Sequence, residues 1–208
     1  MARAYAAVAV RVARMQAVRW LMVLTLGASG AAVASVPRTV EGIPFEASAA
    51  VQGQQLVLNG AGLRAMMIVK VYAIALYLPR ADTAAAAVLS QGGAKRLRIV
   101  LLRQVSAERL VDNLLTGIRD NTSAAELAGL QSRLATLQTD MLKLGTARKG
   151  DAITLDFVPG AGTRISVNGQ AVGADIPGED FYRALLRIWL GERPTDRGLR
   201  QDLLGLST

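Results

Sequence analysis

The chain of 208 residues contains neither cysteine nor histidine, and both absences restrict the chemistry that it can perform. Without cysteine there is no disulfide framework, no thiolate nucleophile and no thiolate metal site. Without histidine the Ser-His-Asp triad, the commonest metal ligand and the usual proton carrier at neutral pH are missing as well. We therefore expect no bound metal and no cofactor, and any catalysis must use Arg, Lys, Tyr, Asp or Glu.

Aromatic residues are also scarce, at 4% of the chain. The basic residues are scattered along the sequence, so they do not combine with aromatic residues into a surface on which bases could stack. The formal net charge is +8, and four arginines among the first 34 residues supply half of it. We expect no nucleic-acid partner.

The first 34 residues have the pattern of a secretory signal peptide. They contain four arginines and no acid, an apolar stretch at residues 20–26, and a small-x-small cleavage site at residues 32–34. The apolar stretch is shorter than the roughly 20 residues that cross a bilayer, so a permanent anchor is the weaker alternative and no membrane span is expected after processing. We predict cleavage after Ala34, a mature domain at residues 35–208 and a periplasmic or secreted location. Translation from Met15 would give a more compact signal peptide.

Residues 59–79 (NGAGLRAMMIVKVYAIALYLP) form an apolar run that is interrupted by a few polar side chains. If the run from Arg64 onward is a single strand of period two, Arg64, Lys70 and Tyr72 point to the same side, and both sides are largely apolar. A strand that is apolar on both sides usually lies at the centre of a covered sheet. These polar groups would then lie beside the core, where a buried cation needs an anion.

Two interpretations of this polar group remain open. A guanidinium and a phenol together suit the head group of an organic acid. However, the eight residues from Arg64 to Tyr72 span about 26 Å in a straight strand, so the chain must bend, although residues 65–71 lack the usual turn residues. Alternatively, Arg64 pairs with an internal carboxylate such as Asp156, while Tyr72 forms a local hydrogen bond and packs.

The remaining segments predict an α+β fold in which an antiparallel sheet is layered by helices on one face. Glycines at residues 60 and 62 indicate a bulge, Asn168-Gly169 indicates a tight hairpin turn, and Ser106 is a candidate helix N-cap. An apolar seam in the helix after Ser123 spans fewer than three heptads, too few for a coiled coil, so we expect it to pack against the sheet in a monomer. Strands are predicted at residues 54–63, 95–105, 151–158 and 163–167, and helices at residues 82–89, 106–119, 123–144, 179–190 and 196–204.

Three motifs in the same order resemble the chalcone isomerase-like family, in the compact form found in bacterial exported proteins. They are LNGAGLR at residues 58–64, KVYAIALYLP at residues 70–79 and FYRALLRIWLGE at residues 181–192, the last followed by the Leu-Leu-Gly of residues 203–205. The resemblance covers nearly all of the chain after residue 35. It implies an open-faced sandwich of an antiparallel sheet and helices.

The resemblance also implies a ligand site. The arginine that matches Arg64 is shared by the family's isomerases and by its fatty-acid-binding relatives, whereas a tyrosine at position 72 resembles the binding relatives. Met66, Met67 and Ile68 would supply apolar walls, and Lys70 would add positive potential. The ligand-binding residues that we predict are Arg64, Lys70, Tyr72, Asn113, Ile188 and Trp189.

Three functions are compatible with these observations. The first is an exported, non-catalytic binding protein for a fatty acid or a similar apolar carboxylate. The second is an isomerase (an intramolecular lyase) acting on a chalcone-like substrate, with Arg64 as its catalytic residue. Against it, the helix at residues 106–119 lacks the tyrosine of those enzymes and keeps only Asn113, while Ile188 and Trp189 stand where the enzymes carry a polar side chain and its neighbour. The third is a structural envelope protein with a vestigial pocket.

Overall fold

A computed structural model of the protein describes residues 36–207, and these residues form an antiparallel β-sheet with helices on one face. The predicted signal peptide lies outside the described residues and stays a prediction. Within residues 36–207 no helix is long and apolar enough to cross a bilayer. The elements are β1 (Arg38–Val40), β2 (Ile43–Phe45), β3 (Ser48–Val51), β4 (Gln54–Met66), β5 (Val69–Leu78), α1 (Ala85–Ser90), β6 (Lys95–Leu101), β7 (Val105–Ser106), α2 (Ala107–Asp120), α3 (Ala124–Leu142), β8 (Thr146–Ala147), β9 (Ala152–Val158), β10 (Gly162–Val167), β11 (Gln170–Ala171), α4 (Glu179–Leu190) and α5 (Arg197–Leu203).

The main sheet has seven strands in the order β11-β10-β9-β6-β5-β4-β3, and every neighbouring pair is antiparallel. Its inner face, which includes Ile74 and Leu97, forms the main core with apolar residues of α2, α3, α4 and α5. Its outer face carries a smaller apolar cluster that is completed by Phe45 of the β1–β2 hairpin. The predicted α+β fold, with a helical layer on one face of an antiparallel sheet, is confirmed.

The run from Arg64 onward is not a single strand but a hairpin, which supplies the bend that contact of Arg64 and Tyr72 with one ligand group requires. Strand β4 ends at Met66, β5 begins at Val69, and the two intervening residues form the turn. Met67 adopts a φ of 55°, a left-handed conformation that usually selects Gly, Asn or Asp. The turn consists of Met67 and Ile68, which are not typical turn residues. The residue preferences of turns therefore gave no indication of it.

A bulge in β4 decides which side chains face the helices. Before the bulge the even-numbered Leu58 belongs to the outer cluster. After the register shift between Leu58 and Gly60, the odd-numbered Ala61 belongs to it instead. Because side chains alternate with period two, one extra residue turns the even-numbered positions to the inner face. Arg64 therefore points to the side of the sheet that carries the helices.

Two glycines that follow the bulge allow α5 to lie directly against β4. A methyl group on Gly60 would overlap the backbone oxygen of Asp202, and one on Gly62 would lie 2.6 Å from the Cβ of Asp202. Asn59, at the bulge itself, donates a hydrogen bond to the backbone oxygen of Leu203 at 2.8 Å. The close approach of α5 fixes the position of its N-terminus relative to the end of β4.

Local features predicted for the helices and turns agree with the structure. The Ser106 hydroxyl caps α2, and Ser123 forms a capping box with Glu126 at the start of α3. The apolar seam of α3 packs into the main core, as expected, rather than remaining exposed. Asn168 and Gly169 take φ values of 51° and 80° in the β10–β11 turn.

Candidate functional site

A cavity of about 380 Å³ lies between the inner face of the sheet and the helices. Its walls are mostly apolar side chains from β5, β6, β9, α2 and α4. The polar side chains of its lining come from three places: Arg64 and Tyr72 of β4 and β5, Asn113, Thr116 and Asp120 of α2, and Arg193 and Thr195 of the α4–α5 loop. This combination of apolar walls and a small number of polar groups is typical of sites for small organic molecules. Five of the six predicted ligand-binding residues line it: Arg64, Tyr72, Asn113, Ile188 and Trp189.

Arg64 and Tyr72 are direct neighbours across the β4–β5 hairpin. The register pairs Arg64 with Tyr72, and a second irregularity separates this pair from Ala65 and Lys70. Side chains that face each other on antiparallel strands have Cβ atoms about 4.5–5.5 Å apart. Arg64 and Tyr72 are therefore much closer than they would be in a straight strand. The guanidinium and the phenol can contact the same ligand group.

The phenol of Tyr72 is held in place by Trp189. The indole Nε1–H of Trp189 donates a hydrogen bond to the Tyr72 oxygen at 2.9 Å. Burial raises the pKa of Tyr72 above its ordinary value, while the bond from Trp189 and the charge of Arg64 oppose that rise. The phenol therefore stays protonated at neutral pH. Since its oxygen already accepts a bond from Trp189, its proton is available to an acceptor in the cavity.

Arg64 is paired with a carboxylate of the same chain, but not with the residue that the sequence suggested. Its Nη1 donates to Oδ2 of Asp196 at 3.2 Å and also to the backbone oxygen of Ala65. Asp156, the partner named as an example, instead forms a two-bond ion pair with Arg96 on the outer face, at 2.7 and 2.6 Å. Among the described residues, Nε and Nη2 of Arg64 have no partner, so two of the three guanidinium nitrogens remain available to a ligand.

Asp196 has a second role that explains its position. Its Oδ1 accepts the backbone N–H of Leu199 at 3.0 Å, which makes Asp196 the N-cap of α5. Helix α5 is placed along β4 by the glycines that follow the bulge, so its cap meets the Arg64 side chain. The Arg64 and Asp196 side chains are 18% and 30% exposed, so the pair lies at the edge of the cavity and partly in contact with water.

Lys70 lies outside the cavity. It is exposed near the end of the hairpin and forms an ion pair with Glu41 of the β1–β2 turn, so the structure does not bring it together with Arg64 and Tyr72. Met66 lines the cavity as expected, whereas Met67 and Ile68 are exposed at the turn and are not part of its walls. The ligand-binding role predicted for Lys70 therefore has no support from its position.

Several residues of the site were missed by sequence reasoning. Asp196 was recognised only as the start of the last helix, and no sequence pattern links it to Arg64 over 132 residues. The loop between α4 and α5 also closes one side of the cavity through residues 193–195. Asn121 holds this loop by bonding both the N–H and the oxygen of Arg193, at 2.9 and 2.8 Å.

The sheet, the helical layer and the cavity between them define an open-faced α+β sandwich whose cavity is lined by an arginine and a tyrosine. The family model described as chalcone isomerase-like matches residues 37–205, so the chain belongs to the chalcone isomerase-like family. This confirms the resemblance drawn from its three motifs.

Among solved structures, the crystal structure of a fatty-acid binding protein from Arabidopsis thaliana is similar to the chain, with a TM-score of 0.59 and 16% identity. The similarity covers 78% of this chain and 92% of that protein. At this level of identity the comparison establishes the fold. No curated protein matches the chain.

Proposed function

We propose that this protein is an exported, non-catalytic binding protein for a fatty acid or a similar apolar carboxylate. The observation that carries the proposal is the direct pairing of Arg64 with Tyr72 at the wall of a mostly apolar cavity. The similar fold of the Arabidopsis fatty-acid binding protein supports it.

The wall of the cavity at Arg64 and Tyr72 suits a carboxylate. Nε–H and Nη2–H of Arg64 and the O–H of Tyr72 are donors without partners among the described residues, and all three can bond one carboxylate group. Trp189 orients the phenol, so little freedom of Tyr72 is lost when the ligand binds. Asp196 neutralises Arg64 while the cavity is empty, which lowers the cost of keeping a guanidinium largely buried.

The apolar part of the cavity suits a hydrocarbon chain. Ile99, Leu101, Ile153 and Leu155 of the sheet line one side, and Ile188 of α4 lies among the residues of the other side. A cavity of about 380 Å³ is within the range of sites that enclose small organic ligands. We expect the carboxylate to lie at the Arg64 end and the hydrocarbon chain to extend over the inner face of the sheet.

The isomerase alternative keeps two of its groups at the cavity, Arg64 and Asn113. Helix α2 offers no tyrosine to organise a phenolic substrate, and the Ile188–Trp189 side of the cavity is apolar apart from an indole N–H that is already bonded to Tyr72. Arg64 would then be the sole group that stabilises negative charge in the transition state, and one such group gives weak support for catalysis. An isomerase would accelerate the loss of chalcone absorbance over buffer, and we expect no such acceleration.

Binding is tested by identifying the small molecules that co-purify with the protein from its host. We expect organic extraction and mass spectrometry to find a fatty acid in near-stoichiometric amount in the wild type and little in Arg64→Ala. Lys70→Ala is the matched control, because it removes the same charge from the same hairpin but outside the cavity, so it should retain the ligand. An extract without any acid, or equal amounts in both variants, would refute the proposal and favour a structural envelope protein.

Export is the part of the proposal that rests on residues 1–34 alone. If these residues are a signal peptide, the protein recovered from outside the cytoplasm should have the mass of residues 35–208. A full-length mass in that fraction would contradict cleavage after Ala34. Retention of the protein in the cytoplasm would contradict export.

A further inference from the structure

The end of the β4–β5 hairpin exposes an unusual group of apolar side chains, which we call the hairpin tip and define as residues 66–69. Met67 and Ile68 are 98% and 94% exposed, and Met66, which also lines the cavity, is 60% exposed. Met67 and Ile68 are the two most exposed large apolar residues of the described chain. A contiguous apolar protrusion of this kind indicates a surface that contacts something other than water.

The turn itself does not require these residues. Met67 has a positive φ and Ile68 does not, a combination that matches a type II′ turn, in which glycine is preferred at the first position. A glycine followed by a small polar residue would therefore fit this backbone better than methionine and isoleucine. Since neither turn geometry nor core packing explains Met67 and Ile68, their apolar character points to an external partner.

The loops beside the hairpin tip are basic. The backbone N–H of Leu102 bonds the oxygen of Val71, and that of Gly150 bonds the oxygen of Leu101, so the loops at residues 102–104 and 148–150 lie next to the start of β5. They contribute three cationic side chains, none of which forms an ion pair within residues 36–207: Arg103, Arg148 and Lys149.

The acids at this end of the sheet do not balance these cations. Glu41 is paired with Lys70, whereas Asp151 keeps its negative charge, accepts hydrogen bonds from the Asn168 side chain and the backbone N–H of Arg148, and interacts electrostatically with Arg148. The end of the sheet therefore combines an apolar protrusion with a surplus of positive charge.

We propose that the hairpin tip inserts into the surface of an anionic lipid bilayer. Apolar side chains flanked by Lys and Arg are the combination that holds a protein at the boundary between head groups and acyl chains. A second copy of this chain is a poorer partner, because the same positive charges would face each other. Docking does not depend on what the cavity holds. Only the further consequence, that a ligand passes between bilayer and cavity beside Met66, rests on the proposed function.

Sedimentation with lipid vesicles tests this proposal. We expect the wild type to bind vesicles of phosphatidylcholine with 30 mol% phosphatidylglycerol, and to bind pure phosphatidylcholine vesicles about tenfold more weakly or worse, since each basic residue near an anionic surface contributes about a fivefold change in affinity. The variant Met67→Gly/Ile68→Ser, which suits the turn and should fold, should lose affinity by about tenfold or more. Both proteins have the same N-terminus, so any contribution of residues 1–34 is equal.

Two further variants separate the parts of the proposal. Leu206→Ser removes an apolar side chain that is 54% exposed elsewhere and should bind vesicles like the wild type. Arg148→Gln/Lys149→Gln should weaken binding to the anionic vesicles and leave the weak binding to pure phosphatidylcholine unchanged.

Equal vesicle binding by wild type and the Met67→Gly/Ile68→Ser variant would overturn the proposal. So would a wild type that forms dimers without lipid while this variant is monomeric, because the partner would then be a second copy. Neither Met67 nor Ile68 lines the cavity, so at equilibrium with added fatty acid the Met67→Gly/Ile68→Ser variant should bind as much as the wild type. Failure of docking is therefore distinguishable from failure of the proposed function.

Discussion

If Arg64 receives the ligand carboxylate, Asp196 competes with the ligand for the same guanidinium. Replacing Asp196 with Asn removes the competing negative charge with almost no change in size. The helix cap is preserved, because Asn is as good an N-cap as Asp and its side-chain oxygen can still accept the N–H of Leu199. The substitution therefore isolates the electrostatic effect, and we expect Asp196→Asn to bind a fatty acid more tightly than the wild type.

The size of the effect follows from the geometry of the pair. Two carboxylates that share one guanidinium lie about 5–6 Å apart, and at an effective dielectric constant of about 20 their repulsion is about 3 kcal/mol. The Asp196 side chain is 30% exposed, so water and salt screen the charge. Screening reduces the repulsion to about 1–2 kcal/mol, which corresponds to a dissociation constant lower by about 5- to 30-fold.

Fluorescence of Trp189 can measure this affinity, because its indole bonds the tyrosine that would contact the ligand. The other tryptophan of the chain is Trp20, so a Trp20→Phe background leaves Trp189 as the sole reporter. Asp112→Asn, on the exposed side of α2, changes the net charge equally and serves as the control. Unchanged or weaker binding in Asp196→Asn, with normal affinity in the control, would refute the idea that the ligand carboxylate binds Arg64.

Three further predictions concern the structure around the site. Gly62→Ala should lower the free energy of unfolding by about 1–3 kcal/mol in urea titrations, because its methyl group would overlap α5, whereas Gly129→Ala, in open space on α3, should be neutral or stabilising. Trp189→Phe should weaken fatty-acid binding by about two- to tenfold with the fold intact by circular dichroism, because Tyr72 loses a hydrogen bond worth about 0.5–1.5 kcal/mol. The pKa values of Asp175 and Asp180 are lowered because each accepts hydrogen bonds from an arginine, so the stability that they contribute is present above about pH 4 and is lost as the pH falls further. The urea midpoint of Asp175→Asn/Asp180→Asn should therefore decrease less than that of the wild type between pH 7 and pH 3.

The fold was predictable from the sequence where local chemistry and periodicity agree. The serines at the starts of α2 and α3, the Asn168-Gly169 turn and the apolar face of α4 each depend on residues close in the chain. The β4–β5 hairpin was not predictable in this way. Its turn residues, Met67 and Ile68, are those that a strand would also use, and the preference of this turn for glycine is not met.

The site was predictable as a set of residue types but not as an arrangement. Arg64 and Tyr72 were identified because polar groups in an apolar run need partners, and the bulge at Asn59 was expected from its glycines. That the bulge turns Arg64 to the inner face follows only from the residue-by-residue pairing of β4 with β5, which the sequence does not reveal. The pairing with Asp196 depends on where α5 packs, which is a tertiary property of Gly60 and Gly62.

The central claim is that Arg64 and Tyr72 hold the carboxylate of a ligand whose hydrocarbon chain fills the cavity. Comparing the affinity of a fatty acid with that of the primary alcohol of the same chain length tests it most directly, in the wild type and in Arg64→Met. The account predicts that the wild type binds the acid at least about tenfold more tightly than the alcohol, because a charge-assisted bond to arginine is worth about 1.5–3 kcal/mol. It also predicts that this preference disappears in Arg64→Met, while the alcohol binds both proteins similarly. Equal affinities of acid and alcohol in the wild type, or a preference for the acid that survives in Arg64→Met, would contradict it.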